Sequence, residues 1–135
     1  MITITTTLKV PLAKVWECWN EPKHITQWCF ASEDWHAPSA TNDLKEGSFF
    51  TTRMEAKDGS FGFDLKGIYD QITPHQIIRY HLEDGRNVEV LFSENEGTTT
   101  IIEKFDPENQ NPHEMQQQGW QAILDNFKKY VEAIC

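Results

Sequence analysis

The stretch NPHEMQQQGWQAILDNFKKYVEAIC at residues 111–135 decides the fold. Asn111 is a helix-capping residue type, Pro112 suits a first helical turn, and Glu114 stands three residues past the cap, close to a capping box. Apolar residues then recur at helical spacing as Met115, Trp120, Ile123, Leu124, Phe127, Val131 and Ile134. At about 1.5 Å per residue the helix so predicted is roughly 30 Å long. Its apolar face has to lie on an apolar surface of similar length, because a helix in a protein is held mainly by what it buries.

The residues upstream supply that surface. Two Asp-Gly pairs mark hairpins, and the side-chain pattern selects a different loop for each. Around Asp58-Gly59 a two-residue loop sets Met54 opposite Phe63, Thr52 opposite Leu65 and Ala56 opposite Phe61, while Arg53 meets Asp64 on the other face. Around Asp84-Gly85 a two-residue loop sets Tyr80 against Glu89. A three-residue loop, Glu83-Asp84-Gly85 with the glycine left-handed, instead pairs Tyr80 with Val88, Ile78 with Val90 and Arg79 with Glu89, and this is the register predicted. A third turn at Asn95-Glu96-Gly97 leads into a strand from Thr98 to Phe105, completing an antiparallel meander that begins near Gly47. Its inward face reads Met54, Phe63, Leu65, Ile78, Tyr80, Val88, Val90 and Phe92.

Nearer the start, residues 1–10 set Ile2, Ile4, Leu8 and Val10 against Thr3, Thr5, Thr7 and Lys9, the alternation of a half-buried strand. Pro11 then opens a short helix with Leu12, Val15, Trp16 and Trp19 on one side, ending near Asn20. Pro22 opens a second, running through Ile25 toward Trp28, before a strand near Trp35. The expected fold is therefore α+β: a curved antiparallel sheet of about six to seven strands wrapped around a long C-terminal helix, with two short helices after the first strand. One domain is expected over residues 1–135, a length that buries a core without disulfides or metal.

Composition narrows the function classes. Acidic residues outnumber Lys and Arg by 21 to 12, for a formal charge of −9, and the basic residues form no stripe, so nucleic acid and anionic membranes are not expected partners. No apolar run approaches the roughly 18 residues of a membrane span, and the amino end is not a basic segment followed by an apolar one. Cys18, Cys29 and Cys135 are odd in number and lack CxxC spacing, as suits free thiols in a reducing compartment, and the cytoplasm is the expected location.

The order of elements resembles the START-like or SRPBCC superfamily, whose helix-grip fold encloses a hydrophobic ligand cavity. Within it the chain resembles the branch named for the ATPase activator of the ninety-kilodalton heat-shock chaperone. The matching residues are Val10-Pro11-Leu12-Ala13-Lys14-Val15-Trp16 with Trp19 and Trp28; Leu44-Lys45-Glu46-Gly47-Ser48-Phe49; Met54 with Asp58-Gly59; Gly67-Ile68-Tyr69-Asp70-Gln71-Ile72-Thr73-Pro74; and Gly119-Trp120 with Leu124. The family often has a second glycine in the second of these motifs, which this chain lacks. The eukaryotic activator couples this domain to a separate amino-terminal one, which is not expected before Ile2. The resemblance implies the fold and a cavity, and leaves the activity open among ligand carriers, cyclases and chaperone activators of the stress response.

The candidate ligand-binding residues are Trp28, Trp35, Phe63, Tyr80, Phe92, Met115, Gly119 and Trp120, bordering a pocket between the terminal helix and the sheet. Trp16 is assigned to the core. Gly119, on or near the buried helix face, implies either a very close approach of helix to sheet or room left for a ligand beside Trp120. If Ile101 and Phe105 point inward then so does Glu103, where burial would raise its pKa; it is the one candidate for a catalytic acid, and a slip by one residue would replace it with Lys104. His24, Cys29 and His36 match no tight zinc spacing, so no metal is expected. GxSxG, Walker A and GxGxxG are absent and no cofactor is expected. Binding of a small apolar or aromatic ligand, by a monomer or homodimer, is the leading reading. A chaperone-modulating interaction protein and a cavity enzyme of polyketide cyclase or hydrolase type are the alternatives.

Overall fold

Residues 1–134 are described in the computed structural model of the chain, and Cys135, one of the three thiols expected to be free, lies outside them. The threonine-rich alternation forms β1 (Ile2–Leu8), with Ile4 and Leu8 buried; the strand stops two residues before the pattern does, although Val10 remains in the core. Pro11 is the N-cap of α1 (Leu12–Asn20), its carbonyl accepting from Lys14 N and Val15 N. Glu94 covers a free donor of this helix start by accepting from Leu12 N at 3.1 Å. Pro22 opens α2 (Pro22–Trp28).

The remaining elements are β2 (Trp35–Asn42), β3 (Phe49–Ala56), β4 (Gly62–Thr73), β5 (Ile77–Leu82), β6 (Asn87–Asn95), β7 (Thr98–Phe105) and α3 (His113–Ile134). The strands form one antiparallel sheet of seven in the order β1-β7-β6-β5-β4-β3-β2. The two strands flanking the short helices thus sit at opposite edges, and α1 and α2 carry the chain across the concave face between them. Both predicted registers are present: Met54 with Phe63 and Arg53 with Asp64 in the first hairpin, Tyr80 with Val88 and Arg79 with Glu89 in the second. Gly85 is left-handed at φ 90°, and Leu82 N donates to Arg86 O across the three-residue loop. Arg79 Nε meets Glu89 at 2.7 Å, so the charge match that selected the register is a real contact.

Two bulges curl the sheet. Tyr69 pairs with Tyr80 and Gln71 with Arg79, leaving Asp70 unpaired; on the edge strand β2 the register shifts between His36 and Ser39, around Pro38, which has no N–H to give a ladder. Helix α3 lies along β1, where Gln117 and Gln121 donate from one side of the helix to the carbonyls of Thr3 and Thr5. Leu124, Phe127 and Val131 on the facing stripe are fully buried, and Trp120 stacks on Phe105 with ring centroids 3.9 Å apart.

The start of α3 departs from expectation. Gln116 N donates to Pro112 O, so the helix opens at His113, with Pro112 rather than Asn111 at the cap position. Met115 is 59% exposed and Gln116 takes the buried place. At 100° per residue Met115 stands about 140° from Trp120 around the helix axis, whereas Gln116 stands about 40° away, so an apolar side chain was expected where the helix turns outward. Ile134, at the far end of the same face, is also exposed.

Candidate functional site

Between the concave sheet face and α3 lies a cavity of about 360 Å³, within the range of small-molecule sites. Its apolar walls come from every layer: Trp28 from α2, Phe50 and Met54 from β3, Tyr69 from β4, Tyr80 from β5 and Trp120 from α3. The lining residues exposed to solvent are Phe63 on β4 and Asn111 before α3, which mark where the cavity opens. Trp28 is held rigidly, its Nε1 donating to Cys18 O at 2.9 Å and its ring meeting Phe127 edge-on.

Of the eight residues proposed from sequence to border a pocket, Trp28, Phe63, Tyr80 and Trp120 are brought together here, while Trp35, Phe92, Met115 and Gly119 lie outside the lining. Trp35 pairs with Ala56 at the start of the edge strand β2 and packs with Phe61 and Phe63 into an aromatic cluster at the hairpin tip. Phe92 faces inward as expected, but α1 covers it: it meets Trp16 and Trp19 edge-on at 5.1 and 5.7 Å. Met115 points outward for the angular reason given above. Nothing lies within 4 Å of a Cβ built on Gly119, so the helix makes no close approach to the sheet there.

The polar groups of the wall fall into two sets. One set is committed to the protein itself. Tyr69 donates its hydroxyl to Asn42 at 2.6 Å, Asn42 donates to Asn20 O, and Asn20 donates to Trp16 O, a chain that ties β4 and β2 to α1. Gln116 uses both amide hydrogens on the carbonyls of Glu108 and Asn111 and accepts from Glu108 N, pinning the loop before α3. No sequence rule picks out these residues, since a satisfied buried amide has no periodicity of its own.

The other set is Glu103 and its neighbours. Ile101 and Phe105 are buried and Glu103 is turned the same way, paired with Ile4 on β1 and Val90 on β6. It lines the cavity at 6% exposure, and burial pushes its carboxyl from the ordinary 4.5 up to about 8. Burial also holds the Tyr80 phenol well above its usual range and pushes the Cys29 thiol up to about 12, so both are neutral at pH 7. The site therefore offers one acid that is mostly protonated at neutral pH and no activated thiolate. His36 is partly exposed, 3.8 Å from Glu55, and among the described residues it does not group with His24 and Cys29 as a ligand set. Ligand atoms of Glu17, Cys18 and His24 come within 4.8 Å of one another, although His24 Nδ1 is engaged with Tyr130 at 2.6 Å. Among the described residues, no helix is long and apolar enough to cross a membrane.

Residues 9–132 match the family model described as Activator of Hsp90 ATPase homolog 1-like protein. The solution structure of an AHSA1-like protein from Aeromonas hydrophila is similar at 40% identity and a TM-score of 0.90, covering 98% of this chain and 94% of that one. The solution structure of a protein from Cytophaga hutchinsonii is similar at 53% identity and a TM-score of 0.85, covering 98% and 92%. A crystal structure from Nitrosomonas europaea, at 17% identity and a TM-score of 0.81 over 98% and 94%, shares the fold. None of the curated proteins matches the chain.

Proposed function

The chain belongs to the family of Activator of Hsp90 ATPase homolog 1-like proteins, and from that premise and the cavity we propose that it binds a small apolar or aromatic molecule between the sheet and α3. The observation that carries this reading is the aromatic-walled space itself: a core of this size packs its side chains without voids much larger than a water, and about 360 Å³ left open is well beyond that. Trp28, Phe63, Tyr80 and Trp120 are the residues assigned to contact the ligand, and the cytoplasm is the assigned location. Native mass spectrometry of freshly purified protein tests this, with calorimetric titration of apolar probes into refolded protein as the second arm. A co-purifying mass or saturable uptake is expected. The reading fails if neither is found.

A second reading, interaction with a protein partner such as a chaperone, is favoured by the cluster of Trp35, Phe61 and Phe63. Phe61 is largely exposed, and an exposed aromatic group of this kind suits a contact surface. Its test is the ATPase rate of the ninety-kilodalton heat-shock chaperone with and without this chain. Acceleration that Phe61→Ser abolishes supports it, and an unchanged rate removes it.

A further inference from the structure

Inside the cavity read above as a ligand site, the Glu103 carboxyl and the Tyr80 phenol have no hydrogen-bond partner among the described residues. Glu103 enters from β7 and Tyr80 from β5, at 6% and 8% exposure, and neither side chain forms a hydrogen bond with another described residue. Their oxygens therefore face the open space. The committed wall groups contrast with them: Asn42 and Gln116 are satisfied, and Arg86 is neutralised by Asp84 at 2.7 Å. A buried carboxyl left without a partner is destabilising, and whatever enters the cavity can supply one.

The chemistry of the wall selects the ligand. Ring faces attract cations, most strongly when water is excluded, and Trp28, Phe50, Tyr69, Tyr80 and Trp120 all line this space. The formal charge of −9 draws cations rather than anions toward the protein. We propose that the cavity takes a small apolar or aromatic molecule carrying one basic nitrogen, whose N–H groups donate to the Glu103 carboxylate and to the Tyr80 hydroxyl oxygen. The proposal rests on the ligand-site reading and adds to it the polar end of the ligand. As the ammonium enters, Glu103 gives its proton to solvent and the two charges pair. A neutral carbonyl held between the two O–H groups is the competing ligand chemistry.

Calorimetric titration with three probes of one shape separates these outcomes: 2-naphthylmethylamine, 2-naphthylmethanol and methyl 2-naphthyl ketone. The amine is expected to bind about tenfold or more tighter than either neutral probe, as a charge-assisted hydrogen bond implies. Glu103→Gln, nearly isosteric, is expected to abolish that preference, so that within this variant the amine binds no tighter than the alcohol. Tyr80→Phe, which keeps the ring, is expected to weaken the amine by about threefold and serves if Glu103→Gln melts early. If the ketone or alcohol matches the amine, or if the preference survives in Glu103→Gln, the basic-nitrogen assignment is overturned and the cavity reading stands. If no probe binds, both fall together.

Discussion

Gly67 on β4 pairs with Phe50 on β3, and the Phe50 ring occupies the place a side chain on Gly67 would take: a Cβ there would fall 2.5 Å from Phe50 Cε1 and 2.8 Å from Tyr80 Cδ2. The two rings meet edge to face, 4.9 Å apart, over bare backbone. Gly67→Ala is therefore expected to push both rings into the cavity and to lower stability by about 1–3 kcal/mol. Urea unfolding measures the loss. A variant as stable as the parent would show that the rings yield without cost.

How far the site was legible in the sequence depends on which residues carry it. Glu103 was legible because strand parity from Ile101 and Phe105 leaves it only one face, and the second hairpin because Arg79 and Glu89 penalise the wrong loop. Phe92 was placed on the right face and in the wrong environment, since parity says nothing of which helix covers a residue. Met115 misled because apolar identity was weighed above its angle on the helix. The bonds of Gln116, to loop residues five and eight positions back, and of Asn42 with Tyr69, 27 positions apart, were not legible at all, because they run through ordinary polar side chains that follow no periodicity.

Gly119 occupies an interior turn of α3, has no positive φ, and has open space where a Cβ would be. Gly119→Ala should stabilise the protein by about 0.5–1 kcal/mol by restricting the unfolded chain. Because Gly119 lies outside the cavity wall, probe affinity should stay unchanged. A fall in melting temperature would mean that the helix needs the glycine for a reason not visible in its surroundings.

Cys18 and Cys29 are buried, and the Cys29 thiol is pushed up to about 12, chiefly by burial and further by Glu103. Because the thiolate is the reactive form, both should label slowly in the folded protein. In a Cys135→Ser background, so that only these two report, Ellman's reagent is expected to react about 100-fold or more slower under native conditions than in denaturant. Fast reaction of one thiol in the folded state would place it nearer to solvent than the fold allows.

The last expectation concerns Glu103 and pH. Its carboxyl titrates at about 8 in the folded protein against an ordinary 4.5, so between these values the folded state holds a proton that the unfolded state has released. Its contribution to stability is thus fully present below about pH 4.5, declines as pH rises through the window, and is lost above about pH 8. The titratable groups packed nearest, Tyr80 from β5 and Cys29 after α2, stay neutral across that window because burial holds both high, while Arg86 is paired with Asp84. Glu103→Gln removes the titration without changing the shape of the side chain. The variant should match the parent near pH 4 and exceed it near pH 9 by roughly 5 kcal/mol. Comparing parent and variant at each pH cancels the other carboxylates, which titrate in both. Urea unfolding of the two proteins at pH 4, 6.5 and 9 measures the difference, and a gap that stays constant across that range would mean Glu103 is solvated or paired rather than held in an apolar wall.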